Sequence, residues 1–513
     1  MIPKIKLPRF TRTQWLTLIV FSIADFCNAI CVSLQAPFYP KEAEAHGATP
    51  SEYGLVFGVF ELVVFIISPI YGQHLNRIGP KFLFNGGIFT TGVCAILFGM
   101  LDKVNGHYPF IVLSFLIRII EAMGNAAFLT ASFAIIAKEF PDNVATTFAS
   151  LETFFGLGLI VGPTVGGALY QVGGYMTPFA VLGSALFLSA IMTAFVLPDH
   201  GQHESEPSQG ASLLQVLKIP GVLLAAASII VTSMSIGFLS ATLEPHLRAF
   251  HLTPVVLGLM FVINGGTYAL TAPCWGMLCD RVIAPKMATV MGCLLIIVGF
   301  SLVGPAPFIP SDTVLSMSII GLVLHGLGIA AQLVASFTDA LRTSIAHGFP
   351  NNLETYGLIS GLWTSTFALG AFIGPTVGGI LLDWVGFRKG SMFVVGLNAV
   401  VCVMVFIFLC LSRRRAQYKE VVNEEDLKQL SYTLSSDHGP TSNGYLAANG
   451  SSNGHANPCA IERPPGMNGI IATNSYKNRH GTWHRKEAGA VLIGPYSTSY
   501  GSLESRGFLS SVK

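Results

Sequence analysis

The chain has 513 residues, of which 51% are apolar and 11% charged, and its net charge is +2. Soluble domains carry charge on about a quarter of their residues, so this composition excludes an ordinary soluble fold. It leaves no basic surplus for nucleic acid, and no P-loop, metal-ligand cluster or nucleophile–base pair at helical spacing suggests an enzyme, a cofactor or a metal.

The chain opens with "MIPKIKLPRFTRTQW", basic and broken by Pro3 and Pro8, which reads as a cytosolic N-terminus over 1–14 rather than a cleavable signal. Twelve apolar runs follow, beginning near Trp15, Tyr53, Phe82, Tyr108, Phe148, Pro178, Gly221, Val255, Met287, Val314, Tyr356 and Ser391. Each is near the ~20 residues that cross a bilayer core as a helix. The pattern predicts an all-α integral membrane protein with twelve transmembrane helices in two six-helix bundles, 15–197 and 221–412. The polar stretch "LPDHGQHESEPSQGAS" falls between them, in a central cytosolic loop over 198–220. From 413 to 513 the composition turns to Ser, Asn and Gly, which predicts a disordered cytosolic tail.

Orientation follows from the basic residues. With both termini cytosolic, the inner side takes Lys4, Lys6, Arg9, Arg12, Arg77, Lys81, Lys138, Lys218, Arg281, Lys286, Arg342, Arg413, Arg414, Arg415 and Lys419. The outer side keeps Lys41, Lys103, Arg248, Arg388 and Lys389. Of the nine cysteines, Cys27, Cys31, Cys94, Cys274, Cys293 and Cys402 lie in apolar helices and read as packing residues; Cys274 and Cys279 have no second pair to complete a metal site.

One phrase occurs twice: "GLIVGPTVGGAL" from Gly158 and "GAFIGPTVGGIL" from Gly370. Interior Gly costs a helix about 1 kcal/mol and interior Pro about 3 kcal/mol, so the repetition needs a cause. A second pair, "YGQHLNRIGPK" from Tyr71 and "WGMLCDRVIAPK" from Trp275, recurs at nearly the same offset. Together they argue for duplicated halves related as parallel repeats. Close helix packing by small residues accounts singly for Gly158, Gly162, Gly166 and Gly167 and for Gly370, Gly374, Gly378 and Gly379. It does not account for Pro163 and Pro375 at matched positions, where paired bends suit two bundles that rock against each other.

These motifs resemble the major facilitator superfamily. "GLGLIVGPTVGGAL" is similar to the helix-5 antiporter motif of its drug–proton antiporters, and "GQHLNRIGPK" to its loop 2–3 motif. In the latter Arg77, Gly79 and Lys81 match, whereas Asn76 and Pro80 depart; the second copy keeps Asp280 and Arg281, so the family's ionic latch is expected to be stronger in the C-terminal half. "ATLEPHL", "RIIEAMGNA" and "YGLISGLWTSTFALGAFIGPTVGGIL" resemble the vesicular amine transporter family over about residues 15 to 412. That family's monoamine branch carries Asp in helix 1, Lys in helix 2 and Asp in helix 11, where this chain has Asn28, Phe60 and Thr364. The departures resemble the polyamine branch.

Intramembrane charges carry the functional reading, because each costs about 2.5–3.5 kcal/mol at mid-bilayer. They are Asp25, Glu61, Arg118, Glu121 and Glu244, with His325 able to change charge near neutrality. Arg118 and Glu121 stand three apart, as a local ion pair or as a switchable network opened by substrate or a proton. Asp25 reads as a coupling acid or a structural partner of Arg118, Glu61 as a substrate contact or a snorkelling side chain, and His325 as packing or a proton relay. Glu244, in the resembling "LEP", is expected to bind substrate; Tyr268, Trp363 and Tyr356 offer aromatic faces for ammonium groups or simply pack. With Phe60 in place of a lysine, Glu61 is expected to stand unopposed, favouring polycations.

The resemblance implies proton-coupled antiport of polyamines or related amines from cytosol into acidic secretory, synaptic-type or endosomal vesicles, by a functional monomer. Alternatives are a monoamine or broad organic-cation–proton antiporter, and a receptor or scaffold that keeps the superfamily shell. "YKEV" at Tyr418 and "YGSL" at Tyr500 are similar to sorting signals that adaptors read, and the sequon at Asn449 lies on the wrong side for glycosylation.

Overall fold

The computed structural model describes residues 10–196, 212–252, 254–310 and 312–436, with short pieces at 476–477 and 483–484. Local chemistry sets many of the helix ends. Helix α1 (Arg12–Ala45) starts at a capping box in which Thr11 and Gln14 satisfy each other's backbone, and α2 (Pro50–Ile78) repeats the device with Thr49 and Glu52. At "IGPK" the chain reverses on Gly79, whose φ of 96° suits glycine, and Pro80 opens α3 (Pro80–Gly99). Helices α4 (His107–Glu139), α5 (Val144–Gly173) and α6 (Met176–Val196) complete the first half.

A short helix, Leu213–Leu217, leads into α7 (Pro220–Leu247), α8 (Pro254–Arg281), α9 (Pro285–Val303) and α10 (Leu315–Ala346). The helical run from Leu353 to Ser436 is broken at Gly386, with φ 75° and ψ 168°, into α11 (353–385) and α12 (387–436). Ten stretches of described chain are long and apolar enough to cross a membrane, one of them the 60-residue Leu353–Ser412. Sixty helical residues span about 90 Å, far more than one bilayer core, and the break at Gly386 divides them into two crossings. With α8, 28 residues like α7, the long helices number twelve among the described residues. Leu116, Ile120, Val400 and Phe406 turn exposed apolar side chains outward, as a lipid-facing surface requires.

The repeated phrase packs inside each half. A Cβ added at Gly158 would lie 2.6 Å from Ala29 and one at Gly162 2.1 Å from Ser33, so α5 lies directly on α1. Likewise a Cβ at Gly370 would meet the carbonyl of Ile230 at 2.4 Å and one at Gly374 that of Met234 at 2.5 Å, laying α11 on α7. Gly237 answers Pro375, whose ring would be 2.6 Å from a Cβ there. Gly166 and Gly378 are also packed, whereas Gly167 and Gly379 face open space. Close packing is therefore the role of six of the eight glycines.

Residues 410 onward form a second unit. Its helix runs to Ser436 through Arg, Gln, Lys, Glu and Leu, all good helix formers. Tyr476–Lys477 pairs antiparallel with Trp483–His484. The rest of the tail expected from 413, including Asn449 and Tyr500, and the central-loop stretch 197–211 lie outside the described residues.

Candidate functional site

The halves meet along two helix pairs, α5 with α8 and α2 with α11. Matched motifs define their correspondence: Pro163 and Pro375 are 212 residues apart, and Asn76 and Asp280 are 204 apart. The contacts obey the same offsets. Thr153 Oγ1 donates to the carbonyl of Ala269 at 2.7 Å, and its counterpart Ser365 Oγ donates to that of Phe65 at 2.7 Å.

At the end bearing the α2–α3 and α8–α9 turns, Asp280 sits on the N-terminus of α5. Its carboxylate accepts from the Ala145 N–H at 3.1 Å, the Thr146 N–H at 2.8 Å and Thr146 Oγ1 at 2.7 Å. These backbone donors have no partner within their own helix, and the helix dipole favours an anion there. Arg342 of α10 donates to Asp280 at 3.1 Å and to the Cys279 carbonyl at 3.1 Å, while Arg281 reaches Asn143 at 3.5 Å. Beside them Lys286 binds Asp339 at 2.5 Å. At the equivalent α2–α11 contact Asn76 and Arg77 stand exposed in the places of Asp280 and Arg281, and the helices close backbone to backbone. A Cβ on Gly72 would lie 2.4 Å from the carbonyl of Gly357, and one on Gly361 2.5 Å from that of Ser68.

Between the two pairs lies a narrow cavity of about 60 Å³, lined in part by Phe60, Glu61, Asn125, Glu152, Trp363 and Thr364. It holds only a few water molecules, well short of the ~300 Å³ of a ligand-filled site. A larger groove of about 640 Å³ between α3 and α6, near Lys81 and Phe187, is lined by none of the membrane carboxylates.

Behind Phe60 and Asn125 in the cavity wall the first half holds a buried polar network. Arg118 Nη1 binds Glu121 at 2.9 Å, Gln35 donates to both Glu121 oxygens at 2.7 and 2.9 Å, and Asn28 donates to Asn125 at 2.8 Å. The Arg118 guanidinium lies 4.2 Å from the centre of the Phe60 ring. Glu61 is therefore not unopposed, since an arginine from α4 covers the aromatic beside it. Asp25 is fully buried, and neither of its oxygens has a hydrogen-bond partner. Arg118 thus pairs with Glu121, one helical turn away, and not with Asp25. Across the interface the Tyr268 hydroxyl of α8 donates to Glu152 of α5, and both are at least nine-tenths buried. Trp363 packs edge-on against Phe133 and Phe148 and stacks on Phe367, leaving Nε1 without a partner.

Other expected residues lie elsewhere. Glu244 is half-exposed and held by Arg248, four residues on, through contacts of 2.8 and 2.7 Å; the narrow cavity does not include it. His325 is buried in the second half with Nδ1 2.9 Å from the Asn264 amide and Nε2 3.0 Å from Ser235 Oγ, so both ring nitrogens are occupied. Tyr356 donates to Asn351 at 2.5 Å. Glu152 and Asp339 are membrane carboxylates that the sequence reading passed over. For Glu152 a signal existed: it stands 212 residues before Thr364, its counterpart in the repeat.

Two six-helix halves that meet around a largely apolar cavity bearing the carboxylates of Glu61 and Glu152 define a polytopic carrier. The chain belongs to the Major Facilitator Superfamily, whose model matches residues 21–241 and again 225–450. It is 38% identical to the human MFS-type transporter SLC18B1 over 422 residues, 81% of this chain and 91% of that protein. The mouse MFS-type transporter SLC18B1 is 37% identical, covering 74% and 83% respectively. The rat chromaffin granule amine transporter is 26% identical over 72% of this chain and 68% of its own length. Among solved structures, the transporter FucP in its outward conformation superposes with a TM-score of 0.61 at 16% identity, over 77% of this chain and 99% of that one. The human organic anion transporter MFSD10 (TETRAN) gives a TM-score of 0.57 at 17% identity, over 76% and 99%. These structures share the fold; the sequence relatives are named as transporters, and this chain is a transporter of the same superfamily rather than an enzyme.

Proposed function

We propose that the protein is a proton-coupled antiporter that moves polyamines such as spermidine from the cytosol into acidic vesicles. The observation that carries this reading is the cavity between the halves, which the carboxylates of Glu61 and Glu152 and the ring of Trp363 line together. Carboxylates attract ammonium groups and aromatic faces hold them. Similarity to SLC18B1 and to amine transporters of vesicles supports an amine as cargo. Phe60 and Thr364 in the wall, where the monoamine branch carries Lys and Asp, favour a polyamine over a monoamine.

In this scheme both termini and the Asp280 latch are cytosolic, the bundles over 15–197 and 221–412 rock about the region of Pro163 and Pro375, and a single chain performs the cycle. With the latch open, an amine enters from the cytosol, meets Glu61, and perturbs the Asn28–Asn125 and Arg118–Glu121–Gln35 networks. The bundles then rock, and luminal protons taken up by Asp25 and the neighbouring carboxylates release the amine. The protons leave on the cytosolic side when the carrier returns. Glu244 enters only as a contact at the luminal mouth, His325 as a packed histidine, and Tyr418 as a contact for sorting adaptors. Liposomes holding the purified protein, with an acid interior, test the cargo. Spermidine uptake exceeding serotonin uptake by tenfold or more, and collapsing with nigericin, is expected. Serotonin uptake equal to or above that of spermidine, or no uptake of either by folded protein, would overturn the reading.

A further inference from the structure

Glu152 takes no part in the scheme above, yet it is the membrane carboxylate most directly placed between the halves. It lines the cavity with Glu61, is 4% exposed, and accepts from the hydroxyl of Tyr268, which belongs to the other half. Its counterpart at the repeat offset of 212 is Thr364, which lines the same cavity; the counterpart of Tyr268, at 204, is Val64, which does so too. One of the two equivalent positions thus carries an acid and a hydroxyl, and the other a threonine and an aliphatic chain. Packing alone would be served by the second pair at both places.

Two further observations point to a cationic ligand. Asp25 of α1 is fully buried with both carboxylate oxygens unpartnered. Trp363 lines the same cavity, and aromatic rings hold ammonium groups. A buried carboxylate held by one neutral hydroxyl is a weaker arrangement than one held by a charged donor.

We infer that Glu152 is the second anionic contact of the cavity: with Glu61 it holds a cargo that carries two separated ammonium groups, and one ammonium displaces the Tyr268 hydroxyl from Glu152. This rests on the amine reading of the same cavity and deepens it. Loading would then break a bond between the halves at the moment the cargo makes a stronger one within the first half. A monocation satisfies one carboxylate only.

The test uses the full-length protein in liposomes, with binding of labelled spermidine competed by putrescine, a diamine, and by butylamine, its monoamine analogue. Wild-type protein is expected to prefer putrescine by at least tenfold. Glu152→Gln keeps an oxygen for Tyr268 but loses the charge, and is expected to cut the preference to within about twofold while the thermal midpoint stays unchanged. Tyr268→Phe removes the competing hydroxyl and is expected to tighten spermidine binding severalfold. A Glu152→Gln protein that binds spermidine and retains the diamine preference would overturn the inference and leave the amine reading standing. A Tyr268→Phe protein that binds spermidine more weakly would overturn the displacement step, and wild-type protein that binds no amine would overturn both readings.

Discussion

The α5–α8 and α2–α11 contacts occupy equivalent places in the two-fold design and are closed by different physics. In the first, Asp280 is bonded to the end of α5 and to Arg342, and Tyr268 reaches Glu152. In the second, Gly72, Gly357 and Gly361 bring backbones together, and Asn76 stands exposed at the latch position. The polar bond they share is the hydroxyl-to-carbonyl link of Thr153 or Ser365. Close approach is common to both, since a Cβ on Gly276 would lie 2.6 Å from the carbonyl of Ala145; the first adds the charge of Asp280, on which titration and salt act.

The largest effect is expected where shape is violated. Gly72→Leu drives a side chain into the carbonyl of Gly357, 2.4 Å from where its Cβ would sit, and should abolish uptake and lower the thermal midpoint by several degrees. Next comes Asp280→Ala, which leaves the Ala145 and Thr146 donors and Arg342 without their anion. A buried unsatisfied donor costs about 1–3 kcal/mol, so uptake should fall roughly tenfold or more, with a cysteine placed near Thr146 becoming accessible to a water-soluble thiol reagent. A smaller change is expected from Asn76→Asp, which offers the second interface its own latch. Turnover should drop about two- to fourfold while stability holds or rises, read by initial uptake rates and thermal melting. Gly167→Ala and Gly379→Ala, which meet nothing within 4 Å, should stay within twofold of wild type in uptake.

Much of this architecture was legible because a bilayer imposes a length on every crossing, and twelve apolar runs announced twelve helices. The duplication is legible in "GPTVGG", and Asp280, kept in the second motif copy, is the residue bonded to the start of α5. Pairings were harder. Arg118 found Glu121 in its own helix and left Asp25 unpartnered, because the near neighbour at three residues needs no tertiary rearrangement. Glu244, expected from "LEP" to bind substrate, is held by Arg248 at a spacing of four, a pairing that the sequence itself offers. Glu152 lies in "SLETFF", where only its repeat counterpart Thr364 marks it; its weight comes from Tyr268, 116 residues away, which the fold brings to it.

The most direct test of the account is a simultaneous record of spermidine entry and internal pH in acid-loaded liposomes bearing the full-length protein. Spermidine uptake accompanied by matching alkalinisation of the interior, both abolished by nigericin, is the predicted result. Spermidine entry that leaves internal pH and rate unchanged with or without the gradient would contradict it.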